Sequence, residues 1–169
     1  MIILSSTNSG VVSSIIPYDV SARNYIRNVE AQDGQPLEAI VKKAINDFIV
    51  GCKNDGIWDA IKGSCILAGA RTLNGALIPL VGNAPTNTTF ISTDYDRKTG
   101  LITDGTKYLD LGYNNNDTTN LSQNDNHASI YINSLGSQIL NMVLFGTSLF
   151  SYQGSLSFVY SGNVYNITN

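Results

Sequence analysis

Between Pro36 and Gly51 the apolar residues Leu37, Ile40, Val41, Ala44, Ile45, Phe48 and Ile49 fall at offsets 0, 3, 4, 7, 8, 11 and 12. That spacing lays one apolar stripe along an amphipathic helix, with Lys42, Lys43, Asn46 and Asp47 turned outward. Pro36 suits the first helical position, and Gly51 suits a left-handed cap at the end. A first helix precedes it, with Ser21 as N-cap and Ala22, Tyr25, Ile26 and Val29 on one face, followed by a turn at Asp33-Gly34. A short third helix over 55–62 carries Ile57, Trp58 and Ile61 inward. Upstream, residues 1–19 read as an extended arm. Its pairs Ile2-Ile3, Val11-Val12 and Ile15-Ile16 are separated by Ser, Thr, Asn and Gly and closed by Pro17. Such a segment cannot bury its own apolar side chains and needs a neighbour to lie on.

After Gly63 the pattern changes to short apolar runs between turn residues. The candidate strands are 65–67, 76–81, 88–93, 101–103, 107–111, 128–133, 139–145, 148–152, 156–160 and 164–168. Asp104-Gly105 and Gly162-Asn163 are two-residue hairpin signals. Many short strands at close spacing predict a mainly β chain. The expected fold is an antiparallel jelly roll or β-sandwich over 64–169, preceded by a small N-terminal helical unit over 20–63 and the extended arm over 1–19. A polar loop between Tyr113 and His127 has the length of segments that carry function or move.

Charge changes the picture. Only 14% of the residues are charged, against about 25% in an average soluble protein. All ten Lys and Arg lie between Arg23 and Lys107, and from Tyr108 onward the only acidic residues are Asp110, Asp117 and Asp125. A solvent-facing surface normally carries mixed charge, whereas interface cores lose charge and gain aromatics. The pattern therefore fits either a surface buried in an assembly or a sandwich face rich in Ser, Thr and Asn. A net charge of −3 argues against nucleic-acid binding, which takes a basic surface. No stretch reaches the roughly 18–20 apolar residues of a membrane helix, and the opening residues lack the basic region of a signal peptide.

Candidate chemistry is sparse. Cys52 and Cys65 fit no metal spacing and read as reduced thiols in or beside the core, with a disulfide as the alternative. His127 is the only imidazole and has no nucleophile turn to pair with, so it reads as a structural hydrogen-bonder. Glycoside hydrolysis needs two carboxyls across a cleft. Asp94, Asp96, Asp104, Asp110, Asp117 and Asp125 form no evident pair, and Glu30 and Glu38 read as solvated helix faces. Asp94-x-Asp96 and the 114–126 loop offer oxygen ligands for calcium, but Asx residues also close turns, which is the preferred reading. The sequons at Asn87, Asn116, Asn120 and Asn166 are expected by chance in so Asn-rich a chain. Seven of the nine Tyr (Tyr95, Tyr108, Tyr113, Tyr131, Tyr152, Tyr160 and Tyr165) fall in the C-terminal part, as sheet faces, interfaces or sugar-stacking surfaces would use them. No catalytic, cofactor-binding or metal-binding residue is assigned, and no cofactor is expected.

Three stretches occur in one order: Gly51-Cys52-Lys53, Gly56-Ile57-Trp58-Asp59, and Tyr95-Asp96-Arg97-Lys98-Thr99-Gly100-Leu101. With their surroundings, over roughly residues 30–133, they resemble a module of structural proteins in tailed bacteriophages, notably cyanophages. There it appears in tail-fibre-like, baseplate or other minor virion components, with a concanavalin/laminin-G-like jelly roll after a small helical unit. The resemblance implies a non-enzymatic virion structural protein that docks by its N-terminal part and projects a jelly roll from tail or capsid. It implies other virion proteins as partners and homo-oligomeric packing, with a trimer as first expectation. A glycan-binding module for host attachment is the alternative, and a cell-wall or polysaccharide hydrolase the third reading. The arm and the part after Ser134 lie outside the resemblance.

Overall fold

A computed structural model of the chain describes residues 17–104, 106–113, 127–134, 159–160 and 164–165. Helix α1 spans Val20–Asp33 and helix α2 spans Ala39–Asn54. Asp19, rather than Ser21, caps α1: its carboxylate accepts from the Ser21 amide at 2.9 Å. Gly34, at φ +69°, ends α1 in the left-handed conformation that a side chain disfavours. Pro36 and Leu37 lie outside the helix and Glu38 is extended, so α2 begins three residues after the proline. Gly51 lies within α2, and the left-handed turn falls instead at Gly56. The expected third helix is reduced to a 3-10 turn at Trp58–Ala60.

Ion pairs at both ends fix α1 and α2 antiparallel. Lys53 Nζ lies 2.6 Å from Asp19, joining the start of α1 to the end of α2. Lys42 Nζ lies 2.6 Å from Glu30, joining the other two ends. Between them Ala22, Tyr25, Ile26 and Val29 of α1 meet Ile45 and Ile49 of α2. The same core takes in Leu37, Ala70 and Ala76, the last from helix α3, Leu73–Ala76. Partly buried Tyr18, Val41, Trp58, Ile66, Ile78, Leu80 and Tyr95 close around it. The core of the described residues is therefore helical.

Among the described residues the expected jelly roll does not form. Eight strands are present among the described residues: β1 Ser64–Cys65, β2 Pro79–Val81, β3 Thr86–Thr88, β4 Tyr95–Asp96, β5 Gly100–Leu101, β6 Tyr108–Asp110, β7 Val159–Tyr160 and β8 Val164–Tyr165. They pair antiparallel as β1–β2, β3–β6, β4–β5 and β7–β8, giving four separate two-stranded sheets and no layered sandwich. A sandwich needs each strand to offer several inward side chains at alternating positions. Strands of two or three residues offer one or two, and β3 reads Thr-Asn-Thr, polar on both faces. Ile91 and Ile102, which fall inside the candidate strands 88–93 and 101–103, are exposed. Between Leu77 and Tyr113 the only buried apolar side chains among the described residues are Pro85 and Phe90.

The tight hairpins also shift. β5 does not pair with β6 across Asp104-Gly105; β6 crosses back to β3 with Asn87 opposite Leu109. The local hairpin is β4–β5, closed by Asp96, whose Oδ1 accepts from the amides of Lys98 and Thr99 at 2.9 Å each. Residues 128–133 carry no strand, and 76–81 divides between the end of α3 and β2. β7 and β8 pair with Tyr160 opposite Val164, and the predicted Gly162-Asn163 turn lies outside the described residues. The candidate strands 139–145 and 148–152, and residues 1–16 of the arm, lie outside the described residues.

Candidate docking surface

Helix α2 has more apolar surface than its neighbours cover. Ile45, Ile49 and Cys52 are buried and Val41 is packed against the core, forming one line along the helix. A second line, Ile40, Ala44 and Phe48 at i, i+4 and i+8, is exposed: Ile40 is 78% and Phe48 50% accessible. The single stripe read from the sequence thus splits into two ridges, because α1 packs against only one side. Burying a fully exposed Ile or Phe contributes about 1.5–3 kcal/mol, so leaving both in water forgoes a substantial term. Beside the outer ridge, Lys43 and Asp47 form an exposed ion pair one turn apart. Gly51 continues the same side of the helix, and a Cβ built there would meet nothing within 4 Å among the described residues.

The underside of this helix is anchored by charge. Glu38, just before α2, accepts from Arg97 Nη1 and Nη2 at 2.8 and 2.6 Å, and Arg71 Nη2 lies 3.0 Å away. This fork holds the Glu38 carboxyl down to about 2. Arg97 also donates to the Gly69 carbonyl at 2.9 Å. The Asp33 carboxylate accepts from the amides of Arg71 and Thr72 at 2.6 and 3.0 Å and from Thr72 Oγ1 at 2.7 Å. Glu30 and Glu38, read from the sequence as solvated faces, are both paired instead. Their partners lie 12 to 59 residues away, a distance over which local pattern carries no signal.

The acidic candidates of the later segment are spent on turns. Asp94 accepts from the Ile91 amide at 2.8 Å and pairs with Lys107 at 2.7 Å. Lys107 also reaches Asp104 at 3.4 Å, and Asp104 accepts from Thr106 N and Oγ1. Asp110 accepts from the Gly112 amide. Hydrogen bonds from Thr106 hold Asp104 down to about 2, and Asp94 and Asp96 are lowered chiefly by the amides they accept from. Carboxyls so held stay ionised, the opposite of the raised pKa a general acid requires. Asp94 and Asp96 point to separate partners. Among the described residues no three His, Cys, Asp or Glu side chains converge on a cation position. Asp117, Asp125, Asn116, Asn120, Asn166 and the 114–126 loop lie outside the described residues, and His127 is exposed.

Of the tyrosines, Tyr95 points inward and donates to the Ala70 carbonyl at 2.8 Å, with burial pushing its phenol up to about 12. Tyr113 donates to the Lys62 carbonyl. Tyr131 is 90% and Tyr108 59% accessible. Tyr160 and Tyr165 fall in β7 and β8, and Tyr152 lies outside the described residues. A cleft of about 370 Å³ opens beside Lys53, Gly56, Trp58 and Asp59. Lys53 Nζ sits 5.4 Å above the Trp58 ring while bound to Asp19 and Ser21, so the ring face and the cation satisfy each other. Cys52 and Cys65 are free thiols, one buried and one partly so. No described helix is long and apolar enough to cross a membrane. The chain matches no family model, no curated protein and no solved structure.

Proposed function

We propose that the chain is a non-enzymatic structural protein of a bacteriophage virion, docked into the particle through its helical unit. The observation that carries the reading is the outer ridge of α2: two large apolar side chains held in water on a helix whose other side is anchored by core and ion pairs. An apolar ridge on a fixed scaffold is suited to seat another polypeptide. The resemblance of residues 30–133 to virion modules supports the phage assignment, and the scarcity of charge after Lys107 suits a surface covered in an assembly. The projecting domain is not part of the proposal as a jelly roll.

Peptide mass spectrometry and immunogold labelling of purified particles test this reading. The chain is expected in the particle, and the double variant I40K/F48K is expected to keep its far-UV helical signal but lose incorporation. Abundant protein in infected cells with none in purified particles overturns it. A second reading, glycan binding for host attachment, draws on the exposed rings of Tyr131 and Tyr108, which are available for stacking on sugars. It predicts signals on a glycan array that fall when Tyr131→Ala is introduced.

A further inference from the structure

We propose that the outer ridge of α2 is the two-fold interface of a homodimer, in which α2 packs antiparallel on α2 of a second copy. This deepens the docking reading by naming the occupant, and it rests on that reading of the ridge. The first argument is self-complementarity. A two-fold axis passing near Ala44 sets Ile40 of one copy against Phe48 of the other, and the small side chain at the centre lets the helices approach.

The second argument is charge. Lys43 and Asp47 both flank the ridge on the side away from Val41 and Ile45, and both are largely exposed. The same axis brings Lys43 of each copy beside Asp47 of the other. The intrahelical pair therefore extends into a four-charge ring across the interface, with each cation between two anions. A parallel arrangement would instead carry the Lys43–Asp47 flanks of the two copies to opposite sides of the seam, where no such ring forms.

Gly51 supplies an independent observation. It sits inside a helix with ordinary helical backbone, where glycine is unfavourable, and no atom of the described residues comes near enough to require the missing side chain. Close approach of a neighbouring backbone would require it. On this axis, the turn preceding α2 in the second copy lies toward Gly51. A single helix pair buries less than the ~1,000 Å² of a stable interface, so the dimer is expected to dissociate in the micromolar range.

Sedimentation of the full chain across concentration tests the proposal together with two charge variants. Wild type is expected to pass from monomer to dimer. K43E and D47K are each expected to weaken dimerisation about tenfold, because each sets like charges across the axis. An equimolar mixture of K43E and D47K is expected to restore it as a heterodimer, since the mixed pair is complementary again. Both positions are exposed, so folding is not at stake. As a second readout, A44C is expected to form a disulfide-linked dimer on mild oxidation, whereas A31C on the exposed side of α1 is not.

A full chain that stays monomeric at about 100 µM overturns the proposal, whether residues 1–16 or a foreign protein occupies the ridge. A trimer, or no recovery in the mixture, overturns it equally. Loss of particle incorporation in I40K/F48K with a monomeric wild type would retain the docking reading and discard only the second copy as occupant.

Discussion

The unit around α1, α2 and α3 and the segment from Thr86 to Tyr113 are held together in different ways. In the first, side chains such as Ile49 and Val29 are wholly removed from water, and hydrogen bonds serve mainly to cap and align. In the second, Phe90 is the one buried apolar side chain, and order comes from carboxylates that accept from nearby amides. Asp96, Asp104 and Asp110 each satisfy backbone donors within three residues, which replaces the ladder of a wider sheet. Lys107 and Arg97 then tie those turns to each other and to Glu38. A chain with little apolar surface to bury can still fix its backbone, but through many small polar terms. Such a segment should open locally at lower cost than the helical core.

The largest test of this difference is Ile49→Ala. It leaves a cavity in the only extensive core described, and about 2–5 kcal/mol of stability should be lost in urea unfolding followed by far-UV circular dichroism. A loss below about 1 kcal/mol would place the stability of the chain elsewhere.

Asp33→Ala should come next. It strips the acceptor from the Arg71 and Thr72 amides and the Thr72 hydroxyl, for about 1–3 kcal/mol. Gly75→Ala should act on the same joint, because a Cβ there would collide with Asp33 Oδ1.

Acid should separate the two regions without mutation. Folded-state values of Glu38 and Asp104 lie near 2, below their unfolded values, so their contribution is complete above about pH 4–5 and is lost as pH falls through 2. Asp94 and Asp96 shift in the same direction. Hydrogen exchange at falling pH should release the amides of Ile91, Lys98, Thr99 and Thr106 before those of Ile45 and Ile49. Simultaneous release would mean that the two regions unfold as one.

Lys107→Met should reproduce part of that effect at neutral pH. Exchange at Ile91 and Ile102 should quicken, while the thermal midpoint of the helical signal moves little.

The smallest effect is a gain. Gly51→Ala should stabilise the monomer by about 0.5–1 kcal/mol, since the position is helical with open space for a methyl group. A destabilised monomer would reveal a contact at Gly51 within the chain.

Both helices, their turn at Asp33-Gly34 and the inward faces of α1 were legible in the residue pattern, because a stripe at helical spacing is a local signal. The division of the α2 stripe into a covered and an uncovered ridge was not legible, since pattern tells which positions are apolar and not how many neighbours arrive to cover them. The sandwich expectation failed for a related reason. Pairs such as Ile91 after Phe90, or Ile102 after Leu101, carry strand propensity but not the alternation that gives a sheet one apolar face. The turn role of Asp96 was anticipated from its residue type. The paired state of Glu38 with Arg71 and Arg97 was beyond sequence reach, because attraction between charges depends on where the backbone brings them.

By itself, then, the sequence determined what depends on neighbours along the chain: helix spacing, Asx turns and the regional loss of charge. Only the tertiary structure decided what depends on neighbours in space. It gathered Ala70 and Ala76 into the helical core, joined β3 to β6, and left Ile40 and Phe48 facing outward. Burial is a property of packed partners, and one strand of residues does not specify its partners until the chain has folded back on itself.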